Sequence, residues 1–438
     1  MEWWLVLGVI FLGLLVVLLA GVPVAFGFLG ATFSAMYWVM GPRAPQLLIN
    51  SIFDSLTQFT LTPVPFFVLM GGLIFRSGLM GRALEVIEDH LGNVPGRLAV
   101  VTLVAGALFA SLSGSALANT ATLGAMLVPE MRSLGYDKRL IVGPVMAAGA
   151  VAMLIPPSTL TVIYGSLAKV SVGQLLLAGV GPGLLLVGLY VLYVLVVCWR
   201  RPSLAPAWGV RLPPRGQRVR RLLGVLVPVC LIIFLTLGSI WVGWATPTEA
   251  AALGAAGALA LALASGRLTL RVLGEALLDA ARVTGMILII VAGSMGFSQV
   301  LAFSGATREL VRWVVELPVP GWVVMAGMLA VVLFLGLFME EVAIMMITIP
   351  IFTPIAKALG FQPVWFGILM LIALEISLLT PPVGLVLYVA KSVVPEEFTM
   401  RDIWAGAVPY VVLGLVGMLL VALFPGIALS LVPLPGAR

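Results

Sequence analysis

The chain has 438 residues, of which 62% are hydrophobic and only 10% charged, with mean hydropathy +1.19. Soluble globular domains carry about a quarter of their residues as charges, so that class is excluded. The net charge of +6 is concentrated in one loop, which argues against a nucleic-acid-binding surface, and Cys198 and Cys230 have neither metal-ligand nor disulfide spacing. Apolar runs of about 18 or more residues recur from end to end, which predicts an all-α polytopic membrane protein.

In chain order, membrane crossings are predicted at residues 3–20, 22–40, 61–75, 140–168, 180–199, 222–242, 246–264, 283–303, 364–390 and 407–432. The first has no basic flank and no evident small-residue cleavage site, so a retained helix is expected rather than a signal peptide. Two stretches do not fit as single spans. Residues 98–129 carry no charge and as one helix would reach about 48 Å, against a hydrocarbon core of about 30 Å. Residues 322–356 are longer still and hold Glu340 and Glu341 in their middle. Both read as re-entrant helical hairpins that break at a polar tip. Non-helical backbone at membrane depth is tolerated only where protein or a water-filled cavity covers it, so the tips are functional candidates. Among weaker features, Thr246-Pro247-Thr248-Glu249 reads as a capped helix start, and His90 as part of a solvated amphipathic face. Residues 170–178 and 396–405 read as interfacial helices.

An internal repeat is visible. SLGYDKRLIVGPVMAAGAVAMLIPPSTLTVIYG, from Ser133, matches ALGFQPVWFGILMLIALEISLLTPPVGLVLYV, from Ala358. Leu134-Gly135 aligns with Leu359-Gly360, Pro156-Pro157 with Pro381-Pro382, and Pro129 with Pro354, all at one offset. Five full crossings lie between the hairpins; an odd number gives the two halves opposite orientation. The resulting division is scaffold helices at 1–97, a first hairpin, broken helix and following helix at 98–199, and an arginine-rich loop at 200–221. Scaffold and arm helices at 222–321 precede the second hairpin, broken helix and final helix at 322–432.

Seven arginines (Arg200, Arg201, Arg211, Arg215, Arg218, Arg220, Arg221) fill the loop with no acid among them, which places it in the cytoplasm by the positive-inside rule. Arg76, Arg82, Arg97, Arg132, Lys138, Arg139, Arg267, Arg271, Arg282, Lys391 and Arg401 then fall on the same side. Only Arg43, Lys169, Arg308, Arg312, Lys357 and Arg438 fall outside. Both termini are expected outside.

Two constellations carry candidate chemistry. The first pairs the tip at residues 111–122, where the candidate ligands are Ser113, Gly114, Ser115 and Asn119, with the break Ile155-Pro156-Pro157-Ser158-Thr159. Proline removes a backbone donor and frees carbonyls at the bend, and carbonyl and hydroxyl oxygens suit a weakly held monovalent cation. Close packing of small residues is the competing reading. The second pairs GLFMEEVA, containing Gly336 and Glu340, with LLTPPVGLV, containing Thr380, Pro381 and Gly384. Acids inside apolar runs (Glu340, Glu341, Glu375) are costly and usually functional, although a tip acid near water would simply be solvated and Glu375 could cap or pair within the bundle.

At these residues the chain resembles the large membrane subunit of tripartite ATP-independent periplasmic (TRAP) transporters, through SLSGSALANTATLGAMLVPEM, IPPS, GWATPTEAAALGA and LLTPPVGLVLYV. The resemblance covers nearly the whole chain. It implies an elevator-type carrier that imports small organic anions such as C4-dicarboxylates or sugar acids, driven by sodium ions, with no organic cofactor, in the cytoplasmic (inner) membrane. It also implies two partners: a small four-helix membrane subunit, expected as a separate chain, and a periplasmic substrate-binding protein. Sodium would lie between the Ser113–Asn119 tip and Pro156, Pro157 and Ser158, and between Gly336–Glu340 and Thr380–Gly384. The substrate itself is not named by these residues.

An intramembrane protease is disfavoured because the single histidine lies in a charged segment and no predicted crossing holds an aspartate. A stand-alone sodium/anion symporter of similar architecture is the remaining alternative. In a cysteine-free background, a cysteine at Gly216 should stay unlabelled by an impermeant thiol reagent in intact cells, and cysteines at Lys169 and Lys357 should react. Labelling of Gly216 from outside would overturn the inverted arrangement.

Overall fold

An apolar chain surrounded by hydrocarbon must satisfy its own backbone N–H and C=O groups, and helices do so within each segment. The computed structural model describes residues 3–206 and 213–433, and every regular element among them is helical. Arg211 and Arg438 lie outside the described residues. Helices α1 (Trp3–Leu19), α2 (Val24–Met40), α3 (Ala44–Leu56), α4 (Pro63–Arg76) and α5 (Leu79–Leu91) come first. Then follow the hairpin arms α6 (Arg97–Ser113) and α7 (Ala116–Ser133), the broken pair α8 (Lys138–Ala150) and α9 (Thr159–Ala168), and α10 (Val172–Arg200). Next, α11 (Arg215–Arg221) runs through a π-helical turn into α12 (Val227–Val242), followed by α13 (Pro247–Ala264), α14 (Leu270–Phe303) and α15 (Ala306–Glu316). The second hairpin is α16 (Gly321–Leu335) and α17 (Glu341–Ala358), and the second broken pair is α18 (Pro363–Leu379) and α19 (Leu385–Val393). The final helices are α20 (Met400–Leu423) and α21 (Gly426–Leu429).

Among the described residues, eight helical segments are long and apolar enough to cross a membrane, so the chain is a multi-pass membrane protein. Several hairpin arms and broken-helix halves are too short, as expected of elements that stop part-way: α6, α9, α16 and α18 have between 10 and 17 residues. Both long apolar runs break where their polar residues cluster. Gly114, at φ 59°, closes α6 in the left-handed conformation glycine tolerates, and the Ser115 side chain accepts from Ala118 N to open α7. The second run breaks between Leu335 and Glu341.

Three expectations need correction. Residues 170–178 and 180–199 form one 29-residue helix, because Ser171 caps it at the start and Pro182 is carried inside it. Residues 396–405 and 407–432 likewise merge: a reciprocal cap between Thr399 and Asp402 starts α20, which passes Pro409 and ends at Leu423. Proline is tolerated inside membrane helices because neighbouring groups satisfy the freed carbonyl. Third, the crossing at 283–303 is only the later part of α14, whose 34 residues begin after the Thr269 cap. The Thr246–Glu249 helix start is present as a reciprocal cap, and His90 is exposed.

One layer packs α13 against α4, and α14 against α2, α3 and α4. The other layer holds both hairpin units, and their packing is crossed. The return arm α7 lies against α19 while α17 lies against α9, and α20 lies against α8 while α10 lies against α18. Small residues permit the close approach: a methyl group on Gly106 would fall 2.4 Å from Ala148 Cβ. At the end bearing the arginine segment, Arg132 grips Glu397 with two N–H···O bonds of 2.8 and 2.9 Å, and Lys138 lies 3.9 Å from Asp402. These contacts tie the base of the first hairpin unit to the start of α20. Between layers, the Ser166 hydroxyl on α9 donates to Gln58 Oε1 at 3.0 Å.

The amphipathic α5 lies outside the spanning segments. Its Glu88 carboxylate is 3.8 Å from Arg97, yet burial, with a smaller contribution from Glu130, lifts it from 4.5 to about 7 against the opposing pull of Arg97. Between about 4.5 and 7 the folded chain therefore binds more protons at this site than the unfolded one. The stability contributed is full below 4.5 and is lost as pH rises through about 7. Detergent-solubilised protein should melt at lower temperature at pH 8 than at pH 5.5, and Glu88→Gln should flatten that slope. Parallel wild-type and mutant curves would show that Glu88 does not contribute.

Candidate functional site

The first tip and the first break meet. A methyl group on Gly114 would stand 3.1 Å from the Pro157 carbonyl oxygen and 3.3 Å from Thr159 Oγ1. The predicted residues Ser113, Gly114, Ser115, Pro156, Pro157 and Ser158 therefore lie around one centre, together with Thr159 at the end of the predicted break. Four helix ends converge there: the C-terminal end of α6, the N-terminus of α7, the end of the turn that follows α8, and the N-terminus of α9. Helix C-terminal ends offer unpaired carbonyls to a cation, and N-termini offer N–H groups and positive dipole ends to an anion.

The hydroxyls are partly committed to local structure. Ser115 accepts from Ala118 N at 3.4 Å, buried Ser158 from Thr161 N at 3.3 Å, and Ser113 from Ser115 N at 3.4 Å. Each still has acceptor capacity, since a hydroxyl oxygen carries two lone pairs. Asn119 is fully buried. Its Nδ2 donates to Gly106 O at 3.1 Å and Ala148 O at 2.9 Å, joining α6 to α8, while Oδ1 has no hydrogen-bond partner among the described residues. The amide thus fixes the hairpin through its nitrogen and leaves an oxygen free. An apolar crevice of about 630 Å³ between α6, α10 and α12 reaches Ser111 and Pro156 from the side.

At the second centre, Gly336 lies so close to Ser377 that an added methyl would fall 2.0 Å from its Cβ, so the end of α16 abuts the end of α18. Thr380 Oγ1 donates to Ile376 O at 2.7 Å, and Gly384 N returns to Thr380 O at 3.3 Å, curling the segment that contains Pro381. The Pro156–Pro157 and Pro381–Pro382 bonds are both cis. Glu340 is half-buried at the start of α17; its side chain makes no hydrogen bond or ion pair among the described residues, and no described contact joins it to Thr380 or Gly384. Ser377, which the motif reading passed over, takes the place against the tip. Its one signal in the sequence is a hydroxyl one turn before Thr380 in an otherwise apolar run.

No group of three or more His, Cys, Asp or Glu side chains suited to a metal ion occurs among the described residues. The oxygen donors at the centres are instead hydroxyls, an amide and main-chain carbonyls, a set suited to a weakly bound monovalent cation.

Residues 11–427 match the family model described as "Tripartite ATP-independent periplasmic transporter, DctM component". The chain is 35% identical to the C4-dicarboxylate TRAP transporter large permease protein DctM of Pseudomonas aeruginosa, covering 92% of this chain and 93% of that one. It is 31% identical to the sialic acid TRAP transporter large permease protein SiaM of Vibrio cholerae, covering 96% of each. Identity is also 31% to the 2,3-diketo-L-gulonate TRAP transporter large permease protein YiaN of Escherichia coli, over 95% of this chain and 96% of that one. In fold, it is similar to the Alcanivorax borkumensis YdaH transporter, with TM-score 0.66, 17% identity, and 90% and 91% coverage of the two chains. These relatives are transport permeases, and the chain is a transport component rather than an enzyme. With its family model matched over almost its whole length, the chain belongs to the DctM component family, the large membrane permeases of tripartite ATP-independent periplasmic transporters.

Proposed function

We propose that this chain is the sodium-driven subunit that imports a small organic anion delivered by a periplasmic binding protein, working beside a small four-helix membrane subunit in the cytoplasmic membrane. The substrate is a carboxylate, such as a C4-dicarboxylate or a sugar acid; the relatives named above are each named for a molecule bearing that group. The observation that carries the reading is the approach of Gly114 to Pro157 and Thr159, which gathers carbonyl ends and N-terminal ends of helices at one uncharged centre. Sodium held by such oxygens brings a positive charge that the protein itself lacks there. An anion beside it is then bound more tightly, and the two ligands favour each other reciprocally.

The second centre, around Gly336, Ser377 and Thr380, plays the equivalent part in the other half. The crossed pairing of α7 with α19 and of α17 with α9 supports an inverted repeat, and the Lys/Arg asymmetry supports termini on the outside. In an elevator cycle the two hairpin units move together against the layer formed by α2, α3, α4, α13 and α14.

Loss of one sodium ligand should weaken the ion by about 1–3 kcal/mol, or about 5- to 150-fold in half-saturating sodium. Ser113→Ala is the cleanest variant, because Ser115→Ala and Ser158→Ala also remove helix caps worth about 1 kcal/mol each. All three should raise the sodium concentration for half-maximal uptake in the assembled transporter at normal expression. Asn119→Ala should do the same through its free Oδ1, with added loss of the α6–α8 link. Unaltered sodium dependence in all of them would make the tip a packing device.

Proteoliposomes containing this chain alone should show no substrate uptake under a sodium gradient, and uptake should appear only with the small subunit and loaded binding protein added. Robust uptake by the single chain would replace this reading with a stand-alone symporter.

A further inference from the structure

The end of the hairpin layer where the arginine segment begins holds a pocket of about 410 Å³, separate from both tip-and-break centres. Three helices wall it: the head of α8, the last turns of α10 and the first turns of α20. Arg139 comes from α8, and Arg200 and Arg201 stand at the end of α10. From α20 come Ala405, Gly406 and Pro409, whose short side chains leave the space open. Cations nearby on this rim are matched to acids: Arg132 to Glu397, Lys138 to Asp402 and Arg221 to Asp89. The side chains of Arg139, Arg200 and Arg201, by contrast, make no ion pair or hydrogen bond among the described residues. Asp137, the one acid in the wall, accepts from Arg139 N at 2.9 Å as the cap of α8. Tyr410 is buried in the same wall, and its hydroxyl has no hydrogen-bond partner among the described residues.

We propose that this pocket binds the phosphate headgroup of an anionic phospholipid. Exposed guanidinium groups are solvated at modest cost, so their charge alone does not name a ligand; their placement does. A planar guanidinium gives paired N–H···O bonds to a phosphate, and basic pockets between membrane helices suit such headgroups. Trp199, next to Arg200, and Trp404, next to Ala405, are both exposed, and tryptophan collects at the level of the headgroups. From that level two apolar ridges lead away into the spanning parts of the helices. Leu192 and Val196 form one on α10, and Val408 and Val412 the other on α20, each pair exposed and one turn apart. A phosphate held by the three arginines therefore has room for its acyl chains along these ridges. A free phosphate or a small organic anion would use the charge and leave the ridges bare.

Bound in this way, the headgroup spans α8 and α10 of the first unit and α20 of the second, close to the contact between Lys138 and Asp402. This inference stands independently of the sodium centres.

The test is native mass spectrometry of the purified, delipidated full chain, titrated with dioleoyl phosphatidylglycerol or with dioleoyl phosphatidylcholine, which carries the same acyl chains. Phosphatidylglycerol should bind more tightly. Arg200→Gln should weaken it about fivefold, and the triple variant Arg139→Gln/Arg200→Gln/Arg201→Gln on the order of 100-fold, as expected when each arginine near the surface contributes separately. Arg215→Gln/Arg220→Gln, which removes two exposed charges of α11 outside the pocket, should bind as wild type. Equal affinity for the two lipids would overturn the proposal, as would an unaltered affinity in the triple variant. An equal loss in the α11 variant would reduce the effect to diffuse attraction by the loop and overturn it too. Displacement of the lipid by an equal concentration of glycerol 3-phosphate would make the pocket a site for soluble anions, overturning the lipid assignment. Should the triple variant fail to fold, Arg200→Gln and Arg201→Gln, measured singly, decide on the same readout.

Discussion

Everything in this molecule that departs from regular helix has to be paired or covered, because hydrocarbon offers no water to an open carbonyl or amide. The constraint explains why the breaks do not occur singly. The Gly114 tip is set against Pro157 and Thr159, and the end of α16 at Gly336 is set against Ser377 beside the second break. Each irregular segment shelters another, and what remains between them is a small set of oxygens and helix ends facing inward. An uncharged, oxygen-lined centre is therefore a direct product of the way the chain resolves its own backbone polarity.

The pairing extends beyond the centres. Each hairpin's return arm lies against the distal half of the other unit's broken helix, and each unit's long final helix lies against the other unit's proximal half. A fold exchanged between halves in this way cannot be built from either half alone, since its contacts are made across the pair. The joint is made of small residues, such as Gly106 on Ala148, and of buried side-chain hydrogen bonds such as those from Asn119. Hydrophobic driving force is weak between helices in lipid, so close packing and buried polar contacts of this kind hold the layer together.

The architecture was legible in the sequence to the extent that it rests on composition and on local breakers. The charge-free run too long for one span, the Gly-Ser tip and the two Pro-Pro breaks each constrain the backbone where they stand, and the structure bends at those residues. Helix continuity was less legible. A proline near the start of an apolar run reads locally as a boundary, yet Ser171 and Thr399 cap helices that pass straight through Pro182 and Pro409. The short helix α3 was missed because its residues, 44–56, mix apolar and polar positions without the length of a span. Least legible were the tertiary facts of the site. No spacing could reveal that the Asn119 nitrogen is spent on two carbonyls while its oxygen is spare, nor that the second tip meets Ser377, ahead of the predicted Thr380–Gly384 break, at Gly336.

The clasp between Arg132 and Glu397 is half-exposed, and such pairs contribute little to stability. Its position gives it a different significance. It bridges the loop end of the first hairpin to the link leading into α20, so the two units are fastened at their rim as well as along their packed faces. Close-packed interiors deform little and transmit displacement instead of absorbing it. A push on one hairpin is thereby delivered to the other as a rigid lever delivers a load, and the two centres share a single mechanical fate.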